Sequence, residues 1–483
     1  VSGAIEGVRG MRDVLPAEQR LAAAARGRLE AVCAEHGYAP VDLPVMEPRG
    51  LYQRKLGEEL AGKVYEFSFG GRELALRPEW TASVLRAYVA HMQDQPLPLR
   101  LSYSGPVFRY ERPQRHTYRQ FSQVGVELIG GPAPRADAEV LALACAGLER
   151  AGVGRFRVVV GHIGIVRELL ASLDLSERTQ GLLIWGMERM REEGPAAIMA
   201  RLDESLGDPP PGLVLPPGLD DAQAADWLLG VLGAMQIELS TGGRPPEAVV
   251  GRLLRKLRRG DEQPRIDRAI DLLARLAAIR GRPEAALPAV AALLREAGLR
   301  SAAYEELRAI LELLPAHGLR ADQVEIDGGL GRGLHYYTGL IFEIYDPADM
   351  QLCGGGRYDE LVTALGGRQP TPAVGFAYGL ERVAAASAAP APAAPRSALV
   401  APVEEDDYSY AVEVARRLRA RGITATVDVR GRSVGSNLRD AARRGAAFLA
   451  VVGRAERDEG SLVWRDLATR DERRLSLDEI GTL

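Results

Sequence analysis

The feature that narrows the fold most is the stretch 105–130, GPVFRYERPQRHTYRQFSQVGVELIG, in which two runs of alternating character flank a polar turn. A side-chain period of two belongs to strands, so the stretch predicts an antiparallel strand–turn–strand unit. Alternation puts Arg109 and Glu111 on one face of the first strand and Gln123, Gly125 and Glu127 on one face of the second. Arg109, Arg112, Arg115 and Arg119 are interleaved with Glu111, Gln120, Gln123 and Glu127, so one concave face offers guanidiniums to a polyanion and carboxylates to a cation. Charge alternating along a strand is more often a solvated face, and the rest of the chain has to decide between the two.

Around this unit the first 165 residues read as α+β. Helical spacing over 18–36 ends at Gly37, a strand follows over 39–45, and 64–69 with 73–76 form a hairpin about Gly70-Gly71. Helices are expected over 81–92 and 136–151, and strands over 99–104, 107–111 and 122–129. Amphipathic helical stretches (247–259, 266–280, 285–297, 302–314) then make 166–320 a helical insertion, with a proline-rich loop over 207–218. Strand signals return at 323–326 and 339–345, followed by the cluster Gly354–Gly356 and an apolar run over 373–378, so the interrupted sheet resumes over 321–384. An Ala/Pro-rich linker over 385–397 leads to strand–helix–strand–helix–strand alternation over 398–483, a small α/β domain with a mostly parallel sheet.

Composition excludes several classes. With 483 residues, 46% hydrophobic and 26% charged, the chain is multidomain and globular, not disordered. A net charge of -4 removes any global cationic field, so a nucleic-acid partner requires a local patch. No run approaches 18 apolar residues and the start has no apolar core behind a basic flank, so no membrane association and a cytoplasmic location are expected. The cysteines Cys33, Cys145 and Cys353 lie far apart and the six histidines show no ligand spacing, so neither a disulfide framework nor a protein-held metal is expected.

Four ordered segments share one resemblance. The pattern FRxERPQxxxYRQFxQxGxE within 105–130 is similar to motif 2 of the class II aminoacyl-tRNA synthetases, in the form found in histidyl-tRNA synthetases. RGLHYYTG at 332–339 with CGGGRYDEL at 353–361 resembles the two signature segments of that family, and VGFAYGLERV at 374–383 resembles class II motif 3. LRPEWTASVLR at 76–86 is similar to its amino-acid-binding loop, and GVRGMRDVLP at 7–16 to its usual start. Nothing comparable is found in 166–320. The resemblance implies a catalytic core in two pieces, 1–165 and 321–384, built on a class II antiparallel sheet with flanking helices. It also implies ATP-dependent activation of histidine, transfer to tRNA(His), and a homodimer formed through the first helix and strand.

That chemistry brings two anions together while charge develops on the α-phosphoryl group. By resemblance, Arg109 and Arg332 are catalytic, holding the α-phosphate from opposite sides; Arg109, Glu111 and Arg382 are the ATP-binding set, with Mg2+ sharing the charge. Glu79, Thr81 and Gln123 match positions that bind the histidine ammonium, and Glu127, Tyr336 and Tyr337 the imidazole pocket, with Gly354–Gly356 allowing close backbone approach. Taken singly, the tyrosines are more often core aromatics, the triple glycine a bare turn, and Arg382 an exposed helix arginine. Four segments in family order outweigh those readings.

Three positions depart from the family pattern. Thr117 stands where an ATP-binding arginine usually precedes the tyrosine of YRQF, with Arg115 and His116 as the nearest substitutes; Trp80 replaces a small residue; His335 replaces an aspartate. Between 416 and 444, nine arginines face only Asp428 and Asp440, a local charge of +7, and the segment resembles the family's anticodon-binding domain. Arg443 and Arg444 are the expected tRNA contacts, against the alternative of a solvated basic helix. The competing function is a catalytically weak histidine-binding paralogue acting as the regulatory subunit of ATP phosphoribosyltransferase with its catalytic subunit as partner; such paralogues usually lack the last domain.

Overall fold

The structure, a computed structural model, describes residues 5–53, 62–112, 116–206, 213–216, 218–235, 237, 246–331, 336–390 and 396–482. The chain forms two compact units, Val1–Pro390 and Ala391–Leu483.

The first unit is organised by a nine-stranded sheet. Its strands are β1 (Ala39–Pro40), β5 (Leu99–Phe108), β6 (Gln120–Ile129), β7 (Arg157–His162), β8 (Arg280–Gly281), β9 (Val324–Asp327), β10 (Leu340–Tyr345), β11 (Gln351–Arg357) and β12 (Ala373–Gly379). A separate three-stranded sheet holds β2 (Met46–Pro48), β3 (Glu66–Phe69) and β4 (Arg72–Leu76). The large sheet runs β1-β5-β6-β12-β11-β10-β7-β9-β8, antiparallel except where β1 meets β5 and β7 meets β9. Strands from before and after the helical stretch therefore interleave in one sheet.

Local chemistry accounts for most of these elements. The helix Pro16–Glu35 begins with proline at its first position and closes before Gly37 at φ +79°, the left-handed conformation glycine adopts freely. Gly70 and Gly71, at φ +58° and +72°, turn β3 into β4. Where 39–45 was expected to be one strand, only Ala39–Pro40 pairs with β5; Pro40 and Pro44 lack the N–H a longer ladder needs. The two strands expected at 99–104 and 107–111 are one strand, β5, ending at Phe108. Pro106 is tolerated because β1 covers β5 only at Leu101–Ser102, leaving its outer side an edge there.

Opposite faces of the sheet have opposite characters. Val124, Val126, Phe342, Ile344, Phe376 and Tyr378 are buried on the back, where the helices Pro16–Glu35 and Arg135–Arg150 pack. The Tyr378 hydroxyl donates to the Ala144 carbonyl at 2.8 Å, tying sheet to helix. A buried Arg357–Asp137 pair, with Nη2 and Oδ2 at 2.6 Å, joins the end of β11 to the same helix.

The stretch after β7 is helical: Ile163–Ala171, Glu177–Leu206, Asp221–Ala234, Pro246–Ala278, Pro283–Glu296 and Ala302–Leu313. Ala224, Leu228, Leu232, Val250, Leu254 and Leu257 form a small core of their own within it.

In the second unit, β13 (Ser397–Pro402) lies between β14 (Thr424–Val427) and β15 (Phe448–Val452), all parallel, with helices Tyr408–Ala420 and Val434–Arg443 between them in sequence. A hairpin of β16 (Ser461–Asp466) and β17 (Glu472–Ser476), not anticipated from sequence, adds two antiparallel strands. Phe448 and Trp464 pack against each other in its core, ring centroids 4.6 Å apart.

Candidate active site

The front of the large sheet carries an open cleft of about 1040 Å³, counting the solvent at its mouth. Its floor is made by register. Gln123, Gly125 and Glu127 of β6 lie opposite Gly379, Ala377 and Gly375 of β12, which in turn neighbour Gly354 and Gly356 of β11. The cluster Gly354–Gly356 is thus a central strand and not a turn. The absence of side chains is required: a Cβ on Gly375 would sit 1.9 Å from Glu127 Oε2 and 2.4 Å from the Val126 carbonyl, and one on Gly356 would sit 2.7 Å from the Tyr337 ring.

One end of the cleft is acidic and aromatic. Glu79 precedes the helix Thr81–His91 and accepts the Ala82 N–H at 3.0 Å through Oε1. Glu127 lies fully buried below, accepting from the Thr81 hydroxyl at 2.7 Å and the Tyr103 hydroxyl at 3.2 Å, both on Oε1. Glu79 Oε2, Glu127 Oε2, Gln123 Oε1 and the Tyr358 hydroxyl are buried without a protein partner. Burial holds both carboxyls above the ordinary glutamate range, Glu127 well above it, and Glu79 raises Glu127 further. Tyr336, Tyr337 and Tyr358 cluster as a wall, Tyr336 meeting Tyr358 edge-on at 5.5 Å. Tyr358 was not singled out from sequence, although it stands in the RYDEL segment; its ring alone gives no signal distinct from a core tyrosine.

Trp80 is packed under the site. Its ring stacks on Tyr103 at 5.0 Å with an 11° tilt, Arg77 lies over its other face at 3.5 Å, and Gly105 makes room, since a Cβ there would be 2.9 Å from the indole.

The other end is cationic. Arg109 and Glu111 both line the cleft, but from a tight turn beyond β5, where the Glu111 N–H donates to the Arg109 carbonyl at 2.8 Å, and not from a continuing strand. Arg109 Nε donates to the Pro78 carbonyl at 2.8 Å, beside Glu79. Arg382, on the helix Leu380–Ala386, donates to the carbonyls of His116 (3.2 Å) and Gln351 (3.1 Å) and to the Thr117 hydroxyl (3.3 Å). All three acceptors are neutral, so its position is set while its charge is left uncompensated by them. Beside it the Glu381 carboxylate accepts the Ser122 N–H at 2.9 Å, at the point where β12 stops pairing with β6.

The cleft therefore brings together Glu79, Thr81, Arg109, Glu111, Gln123, Tyr336, Tyr337 and Arg382. Glu127 lies one layer beneath. Arg332, Arg115 and His335 lie outside the described residues. Among the described residues no group of His, Cys, Asp or Glu is arranged to hold a metal ion. In the second unit Arg443 and Arg444 are exposed, yet both pair with the buried Asp440, at 2.5 and 2.8 Å, which Arg432 also bridges to Asp428.

A family model described as histidyl-tRNA synthetase matches residues 10–204 and 251–383. This chain belongs to the histidyl-tRNA synthetase family. A second model, an anticodon binding domain, matches 397–483. The histidine–tRNA ligase of Methanocaldococcus jannaschii is 32% identical over 98% of this chain and 97% of its own length. That of Archaeoglobus fulgidus is 32% identical over 99% of each. Among solved structures, histidyl-tRNA synthetase from a Nostoc species superposes with a TM-score of 0.66 at 20% identity, covering 100% of both chains. A protein from Bacillus halodurans described as an ATP phosphoribosyltransferase regulatory subunit/histidyl-tRNA synthetase gives 0.66 at 23% identity, covering 94% of this chain and 99% of its own. At such identities these two establish the fold. The family match also corrects the reading of 166–320 as a stretch without counterpart: only 205–250 falls outside it.

Proposed function

We propose that the protein activates histidine with ATP and transfers it to tRNA(His), as a histidine–tRNA ligase. The observation that carries the reading is the cleft's polarity: buried carboxylate and amide oxygens without partners at one end, and at the other the Arg382 guanidinium on neutral acceptors, with Arg109 lining the same cleft. A ligand with an ammonium and an imidazole fits the first end; a polyphosphate fits the second.

Glu79, Thr81 and Gln123 are assigned to the ammonium, and Glu127, Tyr336, Tyr337 and Tyr358 to the imidazole, whose two nitrogens need distinct partners. Arg109 bridges the histidine carboxylate and the α-phosphate, with Arg332 assigned to the same phosphate from its family position. Arg382 takes the distal phosphates. Thr117 fills its departure from the family by holding Arg382 and not by supplying charge. Mg2+ would enter with ATP, held by one or two carboxylates plus substrate phosphates; Glu111, on the cleft wall with Lys63 Nζ 3.6 Å away, would offer one such oxygen. Bound there, the metal would neutralise charge on the phosphates as the adenylyl group is transferred and pyrophosphate leaves.

Arg443 and Arg444 are assigned to tRNA. A homodimer is supported by exposed apolar residues on and near the first helix and the small sheet, among them Leu15, Leu21, Met46 and Phe69; a monomeric mass by light scattering at micromolar concentration would remove it. The regulatory reading is not better supported: the matched anticodon-binding domain is the part such paralogues usually lack. Histidine-dependent exchange of pyrophosphate into ATP tests the assignment. Exchange is expected; histidine binding without exchange would return the chain to the regulatory class.

A further inference from the structure

The opening segment GVRGMRDVLP takes no part in the cleft as described so far. Its residues 8–12 nevertheless lie against the strand entering β6. The Met11 N–H donates to the Val8 carbonyl at 3.0 Å, closing a turn with Gly10 at φ +86°. The Gly10 carbonyl accepts the Arg119 N–H at 2.8 Å, and the Arg9 carbonyl accepts Arg119 Nη1 at 3.1 Å. The same guanidinium donates Nε to the Glu111 carbonyl at 3.1 Å and lies over the Tyr110 ring at 3.9 Å. The Arg119 carbonyl accepts the Arg109 N–H at 2.9 Å. One residue is thus bonded to the opening turn, to Glu111 and to Arg109. Arg12 adds a second contact, its guanidinium 4.2 Å from the Tyr118 ring, which lines the cleft.

We propose that the turn Val8–Met11 and Arg119 form a clasp that fixes the main chain of Arg109–Glu111, making Arg119 a positioning residue for the nucleotide-facing wall. The proposal rests on the assignment of that wall to ATP. Arg109 and Glu111 stand beyond the end of β5 at Phe108 and lack the continuous ladder that holds the floor. Arg119 does not line the cleft and acts through them. The seat is cut for glycine: a Cβ on Gly10 would lie 2.6 Å from Arg119 Cδ and 2.9 Å from Cγ, in a backbone conformation that L side chains rarely adopt. Glu79, Thr81, Gln123 and Glu127, at the histidine end, stand at the helix Thr81–His91 and along β6, the nearest of them four residues beyond Arg119.

Full-length Gly10→Ala, Arg119→Ala and Arg119→Lys variants and the Gly10→Ala/Arg119→Ala pair test it, by pyrophosphate exchange with ATP and histidine varied separately and by histidine calorimetry. Misplacing a reacting group by about 1 Å costs roughly 100-fold, so kcat/KM for ATP is expected to fall about 10- to 100-fold in each single variant. Histidine affinity is expected to fall much less than kcat/KM for ATP, because Arg109 meets only its carboxylate while the ammonium and imidazole contacts lie elsewhere; the binding that remains also reports folding. Lysine is expected not to rescue, since one ammonium cannot reproduce the fork to Arg9 and Glu111. The double variant is expected to be no worse than Arg119→Ala, because both remove one contact. Unchanged ATP kinetics, equal losses for ATP and histidine, or additive losses in the pair would overturn the clasp while leaving the cleft's assignment intact. A wild-type chain that binds histidine and never exchanges pyrophosphate would instead overturn the assignment, and the clasp's role with it.

Discussion

Glu127 carries two hydrogen bonds on Oε1 and none on Oε2, in a position closed to water. A buried carboxylate left in this state costs the empty protein stability, which a ligand's imidazole N–H would recover. Glu127→Gln is therefore expected to raise the stability of the ligand-free chain by on the order of 1 kcal/mol and to weaken histidine binding about 10- to 100-fold, the worth of a hydrogen bond to a charged group. Thermal melts and calorimetry read both; a lower melting temperature with unchanged affinity would refute the assignment. The raised Glu79 and Glu127 carboxyls also set a pH dependence. The folded empty site holds protons that the unfolded chain releases near pH 4.3, roughly the free glutamate value. Stability from these groups is thus fully present below that pH and is lost as pH rises through the folded values. An incoming ammonium favours the ionised carboxyls, so histidine binding is expected to release protons and tighten as pH rises through the same window. Calorimetry in buffers of different ionisation enthalpy would show it; proton uptake would contradict it.

At the scale of elements, β11 and β12 do the shaping. Alternation sends Phe376 and Tyr378 to the helices and leaves Gly375, Ala377 and Gly379 facing the cleft. Gly375→Ala would press its Cβ into Glu127 and the Val126 carbonyl, and overpacking of this kind typically costs about 1–3 kcal/mol. Denaturation is expected to show that loss, and calorimetry the disappearance of histidine binding. Gly366→Ala is the contrast: its φ of +95° brings backbone strain, but nothing lies within 4 Å of its Cβ, so histidine affinity is expected to hold. The hairpin about Gly70-Gly71 was legible because its turn residues carry the signal themselves. β11 was not, since three consecutive glycines have no alternation to read, and only the pairing of Gly354 with Ala377 and Gly356 with Gly375 makes them a strand.

Across the whole molecule, two units with separate cores divide the work, small-molecule chemistry in one and the basic patch in the other. The +7 counted along the sequence overstates that patch. Arg416 and Arg417 pair with Glu413 just outside the counted window, while Arg432, Arg443 and Arg444 converge on Asp440, which the count already includes. Each phosphate contact contributes roughly 0.9 to the salt slope of binding. Replacing Arg443 and Arg444 by Ala is expected to weaken tRNA affinity and flatten that slope by about 1, less than two free guanidiniums would give, because Asp440 already compensates part of their charge. An unchanged slope across a salt series would mark a solvated surface.

The sequence by itself determined the family and the class II sheet, and it named eight of the residues that line the cleft, because each stands in a local motif whose spacing survives without the fold. Tertiary structure decided what depends on distant neighbours. It placed Trp80 beneath the site, where Tyr103, Arg77 and Gly105 shape its slot. It gave Thr117 an arginine to hold, made Tyr358 part of the wall, and set an opening turn against Arg119, 109 positions along the chain from Gly10. Short-range pattern fixes which groups a chain owns; the ladder register and the packing of one element on another fix which of them meet.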